Sequence, residues 1–303
     1  MFSSVLEAIG NTPLLRLEKL GRGLPGQVLL KLENRNPGGS IKDRVAAHLL
    51  REALHDGSLQ PGGTIIEATS GNMGIGLALA ARALGVKTIL VMPESMSMER
   101  RKLMAAFGAE LVLTPAALGM KGSVDKAAEL ARVGKGLLIG QFSNPKTPDA
   151  HYLHTGPEIL EETEGAVDIL VAGVGSGSTI MGTGRYLKEK KPEVKLIALE
   201  PLESCVLSGG KAGPHGIQGI GAGFIPDIFK PELMDEILTV PTQKAIETAR
   251  TLLLTEGVNA GISTGCNVCA ALEVARREEN AGKTIVTFAC DTGERYLSTE
   301  LFA

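Results

Sequence analysis

Strand-like and helix-like segments alternate along almost the whole chain, and this alternation restricts the fold more than any other feature. Apolar β-rich runs occupy residues 28–32, 64–66, 88–92, 110–114, 136–139, 168–172, 194–198 and 284–288. Helical periodicity occupies residues 41–55, 72–84, 97–107, 121–132, 178–190, 242–256 and 266–279. Strands joined through helices pair in parallel, with helices on both sheet faces, so the expected class is α/β. Short apolar strands bounded by Gly or Pro suit sheets that are covered on both sides. A chain of 303 residues is long for one hydrophobic core and comfortable for two domains. Gln141–Asp149 interrupts the periodicity with two prolines and reads as the crossing between the units. The stretch from about 201 to 240 is rich in Gly and Pro, and a loop of that length is more often functional than idle.

Composition excludes several classes. A net charge of −3 without a basic stripe gives no electrostatic case for nucleic acid. No apolar run reaches the roughly 18 residues of a membrane helix, and no basic-then-apolar leader opens the chain. A cytoplasmic location, with no membrane partner, is the expectation. Four cysteines in 303 residues are too few for a disulfide scaffold. Cys266-Asn-Val-Cys269 has redox spacing, but it opens an apolar helical pattern where small residues pack, and the packing reading is preferred. No second thiol pair or spaced histidines complete a zinc site, so no metal is expected.

Four turns carry the chemistry. Glu67-Ala-Thr-Ser-Gly-Asn-Met-Gly-Ile-Gly76 joins a strand to a helix start. Unpaired N–H groups and the positive helix end make such a turn an anion site, to which Thr69, Ser70 and Asn72 add polar groups. Met73 is an apolar thioether in that polar setting. Gly173-Val-Gly-Ser-Gly-Ser-Thr179 is a second strand-to-helix turn that could cradle a terminal phosphate. The alternative is a tight turn without a ligand. It has no P-loop lysine, and no acidic ribose partner is evident, which weakens ATP and NAD readings. In Asn36-Pro-Gly-Gly-Ser-Ile-Lys-Asp-Arg44 a lysine enters a first helical turn, with Ser40 as candidate cap. The helix end and desolvation both disfavour the ammonium there, which favours a neutral nucleophile. A phosphate cradle plus such a lysine is the minimal equipment for a pyridoxal-phosphate Schiff base. In Gly261-Ile-Ser-Thr-Gly265, Ser263 or Thr264 offers either a neutral hydroxyl to a heterocycle nitrogen or a cap for the helix expected at 266.

Together these turns resemble the cysteine synthase family of pyridoxal-phosphate enzymes, of fold type II (tryptophan-synthase-β-like). The resemblance also runs through Gly10-Asn-Thr-Pro-Leu14, Ser95-Met-Ser-Met-Glu-Arg-Arg101, Thr155-Gly-Pro-Glu-Ile159, Ile217-Gln-Gly-Ile-Gly221 and Gly293-Glu-Arg-Tyr-Leu-Ser-Thr299. It implies two parallel-rich α/β domains with the active site between them. Residues 1–145 would carry the Schiff-base lysine and the substrate-carboxylate loop, and residues 146–303 the cofactor phosphate and ring-nitrogen sites. The first ~35 residues would cross over to pack on the second domain, as the family's architecture implies.

By the same resemblance, Lys42 would bind the pyridoxal 5'-phosphate and move the substrate α-proton. Gly175, Ser176, Gly177, Ser178 and Thr179 would hold the phosphate, Asn72 the ring hydroxyl oxygen and Ser263 the ring nitrogen. Thr69, Ser70, Gly71, Met73 and Gln141 would receive the substrate carboxylate. Gly219 and Ala222, in the loop to Gly223, would line the leaving-group side. The implied reaction is β-replacement on an activated serine: O-acetyl-L-serine and sulfide give L-cysteine and acetate. Most members carry Thr where this chain has Met73 and Ser176, and Gly where it has Ser178. β-Cyanoalanine synthases, which use cysteine and cyanide, are similar at 73 and 176 but usually carry Met where this chain has Ala172. Cys290-Asp291 resembles the B-type isozyme that accepts thiosulfate, whereas Gly219–Pro226 resembles the A-type loop. Members are mostly homodimers, and some bind the C-terminal tail of serine acetyltransferase, so a regulatory binding role is the reading from another class.

Overall fold

A computed structural model describes residues 1–303. In chain order the elements begin β1 (Leu14–Arg16), β2 (Gln27–Lys31), α1 (Lys42–His55), β3 (Thr64–Ala68), α2 (Asn72–Leu84), β4 (Lys87–Pro93) and α3 (Met98–Ala106). Next come β5 (Glu110–Thr114), α4 (Gly119–Arg132), β6 (Leu137–Leu138), α5 (Gly156–Glu162), β7 (Val167–Gly173) and α6 (Ser178–Lys190). The chain finishes with β8 (Lys195–Pro201), β9 (Glu236–Val240), α7 (Thr242–Glu256), α8 (Ile262–Ala275) and β10 (Thr284–Phe288).

These elements form two compact units, one from residues 1–9 and 36–147 and the other from residues 10–35 and 148–303. The first unit is built on a four-stranded sheet in the order β5-β4-β3-β6. All its pairings are parallel, as strands connected through helices require. Alternate residues Ile66 and Ala68 of β3 join Ile89 and Val91 of β4 and Ala127 of α4 in one apolar cluster, so one sheet face is closed by α4. On α2, Gly74 and Gly76 let neighbouring groups approach. A Cβ at Gly76 would stand 3.1 Å from the Lys42 carbonyl oxygen and 3.2 Å from Ala46 Cβ. The absence of that atom seats α2 against the first turn of α1, beside Lys42.

The second unit carries a six-stranded sheet in the order β1-β2-β10-β7-β8-β9. β2 runs parallel to β10, which is why residues 10–35 belong here, and Leu17, Val28 and Leu30 pack with Ile169, Val171 and Ile285. β1 is the exception to the parallel expectation. It pairs antiparallel with β2 because residues 17–26 make a return too short for a crossover helix. α8 also departs from expectation, since it starts at Ile262 rather than 266. Gly265 reads as a turn residue in the sequence, but its role is packing. A Cβ there would lie 1.9 Å from the Ala245 carbonyl oxygen and 2.8 Å from the Ala249 amide nitrogen of α7.

One buried charge in this unit is fully engaged. The Lys31 ammonium has no exposed side-chain surface and meets Glu158 at 3.0 Å, together with Glu162 and the Thr12 carbonyl. Removing it leaves two partly buried carboxylates facing each other, so Lys31→Met is expected to cost about 3 kcal/mol. Urea unfolding of the variant, with the slope unchanged, measures this.

Candidate active site

In the first unit, Asn36–Ser40 leads into α1. The Asp43 carboxylate turns back to accept from the Gly38 N–H at 2.6 Å, and a Cβ on Gly38 would collide with it at 2.5 Å. Ser40 is not the N-cap residue, which is Ile41, but its hydroxyl accepts from the Lys42 N–H at 3.2 Å. Lys42 is thus the first residue of α1, held from both sides of the turn. Its side chain is half-buried.

The Thr69–Met73 turn follows β3 and opens α2, as its residue pattern predicts. Gly71 is the N-cap, and no side chain caps the helix. Thr69 is buried, and its hydroxyl accepts from the Gly71 N–H at 3.3 Å. Ser70 faces Met120 across 3.9 Å. A Cβ on Gly71 would meet nothing within 4 Å, so the loop has open space in front of it. Met73 is 2% exposed. Its thioether is shielded from solvent.

Behind this turn lies a residue without an assigned role in the sequence reading. Glu67, on β3, is buried and accepts from the Gly140 N–H at 2.7 Å. The backbone and side-chain N–H groups of Gln141 also donate to it. Burial pushes its carboxyl up to about 7, while the donors from Gly140 and Gln141 pull the other way.

In the second unit, β7 ends at Gly173, whose N–H donates to Asn267 Oδ1 at 2.9 Å. Asn267 also donates to the Phe288 carbonyl at 2.9 Å, so one buried amide ties β7, α8 and β10 together below the turn. Its sequence signal was hidden, because it lies inside Cys266-Asn-Val-Cys269, where attention falls on the thiols. Cys266 is buried in α8, and burial pushes its thiol well above the ordinary range, which suits packing rather than redox work.

The left-handed position of the second turn is Gly177 (φ 87°), and Ser178 begins α6 with helical geometry. Ser178 therefore carries no backbone strain. Its hydroxyl lies 3.1 Å from that of Ser176, and both residues are buried. Thr179 faces His151 Nε2 at 3.4 Å, and His151 Nδ1 meets Thr155 at 2.9 Å, in a π turn that no periodicity foretells. The loop at 219 adjoins this turn. A Cβ on Gly175 would lie 2.3 Å from the Gly219 carbonyl oxygen, and one on Gly219 would be 3.9 Å from Ser263 Oγ. Gly175, Gly219 and Ser263 are thereby neighbours. Ala222 lies three residues farther along that loop and is half-buried.

The α8 boundary corrects the capping alternative at 263 and 264. Both residues are helical, no side chain caps α8, and Thr264 Oγ1 instead accepts from the Cys290 N–H at 2.9 Å. Asp291 accepts from the Tyr296 hydroxyl at 2.7 Å, and its carbonyl accepts from the Gly261 N–H, so it braces the Gly261 turn. Two features fit a phosphorylated pyridine cofactor. The turn at 175–179 presents hydroxyls and N–H groups without a carboxylate at the positive end of a 13-residue helix, which suits a phosphate dianion. The nearby Ser263 supplies a neutral hydroxyl suited to a ring nitrogen.

The fold and these turns define a pyridoxal-phosphate enzyme. The family model described as pyridoxal-phosphate dependent enzyme matches residues 5–291, and the chain belongs to that family, with the α/β architecture of fold type II. Over 301 residues it is 46% identical to a cysteine synthase of Staphylococcus aureus strain Mu50, covering 99% of this chain and 97% of that protein. It superposes on the cysteine synthase of Entamoeba histolytica with a TM-score of 0.97 and 45% identity, covering 100% of this chain and 91% of that one. The O-acetylserine dependent cystathionine β-synthase of Helicobacter pylori is similar at a TM-score of 0.94 and 38% identity, covering 100% and 99%.

Proposed function

We propose that this enzyme is a cysteine synthase, converting O-acetyl-L-serine and sulfide to L-cysteine and acetate. The observation that carries the reading is the 46% identity to a cysteine synthase across 99% of the chain, with Lys42, Asn72 and Ser263 intact. Pyridoxal phosphate, when bound, supplies the electron sink for negative charge at the substrate Cα. Gly175–Thr179 would hold its phosphate, Asn72 its ring hydroxyl oxygen and Ser263 its ring nitrogen. A neutral hydroxyl at that nitrogen makes a weaker sink than a carboxylate partner would. Loss of the β-substituent then competes well with racemisation.

Lys42 would be the residue that holds the cofactor covalently, and its Nζ would take the substrate α-proton. Thr69, Ser70 and Gln141, with the N–H groups from Gly71 to Met73, receive the substrate carboxylate. Gly219 and Ala222 line the side from which acetate leaves Cβ and sulfide arrives. Charge-assisted hydrogen bonds from fixed N–H groups orient the substrate without reorganisation during the reaction. The same reading carries a cytoplasmic homodimer that accepts the C-terminal tail of serine acetyltransferase; light scattering and a tail-peptide titration test these two assignments.

The second reading is β-cyanoalanine synthesis from cysteine and cyanide, favoured by the buried Met73 and by Ser176. Met73 forgoes a hydroxyl contact to the carboxylate, a deficit of about 1 kcal/mol. Rates with O-acetylserine plus sulfide and with cysteine plus cyanide, measured on one preparation, decide between the readings. Met73→Thr is expected to raise the ratio of the first rate to the second about fivefold. An unchanged ratio removes Met73 as the determinant.

A further inference from the structure

We propose that Glu67 is a positioning residue that fixes which face of the Gln141 side-chain amide is offered to the substrate carboxylate. This rests on the reading of Gln141 as a carboxylate-binding residue. The geometry lies within the first unit. Glu67 is the penultimate residue of β3, two residues before Thr69, and 3% of its surface is exposed. The Gly140 N–H reaches its Oε2 at 2.7 Å, and Gln141 donates to it through both backbone and side chain. The adjoining Ile139 N–H donates to the Ile66 carbonyl at 3.0 Å, and Asn144 holds the Ile139 carbonyl at 3.0 Å. The 139–144 loop is therefore fastened to the strand that bears the Thr69 turn, by backbone at 66 and by side chain at 67.

The chemistry of the pair sets the orientation. Burial lifts the Glu67 carboxyl to about 7. In its ionised form, which prevails above that pH, it has no proton to give, so the Gln141 amide then turns its NH2 group toward it. One N–H of that group is used there, and the second remains for a carboxylate on the substrate. With the amide reversed, its carbonyl oxygen would face an anion. Burying a carboxylate is costly without partners, and a purely structural role at this position could be filled by an apolar side chain. Three converging N–H donors and a neighbouring substrate-binding amide are what a positioning role requires.

The test uses the holoenzyme and L-methionine, an amino acid with a carboxylate and no β-leaving group, titrated by the change in visible absorbance. Glu67→Gln preserves shape but lets two amides pair in either orientation. It is expected to keep the resting visible band and to raise the L-methionine dissociation constant about fivefold, and Glu67→Ala about tenfold or more. The KM for O-acetylserine rises in parallel, while that for sulfide and kcat change less than about twofold. In a Gln141→Ala background, Glu67→Gln has no further effect on the constant, as coupled residues require. A lowered melting temperature with an unchanged constant in the folded fraction, or additive losses in the double variant, overturns the role of Glu67. A wild-type protein that takes up no pyridoxal phosphate overturns the functional reading beneath it.

Discussion

Lys42→Ala is expected to abolish the visible absorbance of a lysine-bound cofactor and to lower turnover by roughly 10³-fold or more. Two proposed roles would be lost together: the covalent attachment and the base that moves the α-proton. The fold should survive. Lys42 is the first residue of α1, Ala is a good helix former there, and the Asp43–Gly38 and Ser40 contacts that shape the turn do not use the Lys42 side chain. Cofactor should still bind without covalent attachment, because the proposed phosphate turn at 175–179 is untouched. Absorbance spectroscopy, circular dichroism and single-turnover assays of one preparation measure these effects. A variant that keeps both band and rate would show that another lysine does the chemistry.

Gly175→Ala is the second large effect, and it acts through sterics. The new methyl would lie 2.3 Å from the Gly219 carbonyl oxygen, a backbone atom without rotamers to relax. Either the phosphate turn or the 219 loop must shift. The 219 loop adjoins Ser263 Oγ, so displacement reaches the proposed ring-nitrogen partner as well. Overpacking of this kind costs about 1–3 kcal/mol, and misplaced donors should weaken cofactor binding by about 10-fold to 100-fold. Gly177→Ala tests a different cause. It asks an L-residue to hold φ 87°, where the strain is about 1 kcal/mol, and sets the new Cβ 2.9 Å from Phe229 Cβ rather than against the 219 loop. Cofactor titration of the apoenzyme, alongside thermal melts, separates the two.

The starts of α2 and α6, at 72 and 178, were legible because apolar strand, small polar turn and helical periodicity succeed one another with little interruption. β9 was not legible. Its residues are mostly half-buried and follow a long Gly- and Pro-rich stretch, so neither alternation nor a continuous apolar run marks it. β1 was missed for a similar reason, being three residues long and partly exposed. The start of α8 was misplaced because Gly265 and two hydroxyl residues resemble a turn, whereas the glycine serves contact with α7. Among candidate site residues, Lys42 and the 175–179 turn can be proposed from local chemistry. Glu67, Asn267 and His151 were not, since each acts on a partner far away in sequence.

The sequence by itself determined the α/β class, the Gly- and Ser-rich strand-to-helix turn at 173–179 and the lysine at a helix start, because each is written in consecutive residues. Family resemblance added the cofactor and the roles at 72, 141, 219 and 263. Only the tertiary structure decided that Gly175, Gly219 and Ser263 adjoin, that Ser178 is helical and that Met73 is buried. It alone brought Glu67 to Gly140 and Gln141, across more than 70 positions of chain. Such contacts depend on strand order and helix packing, which are properties of the assembled sheet rather than of any local run of residues.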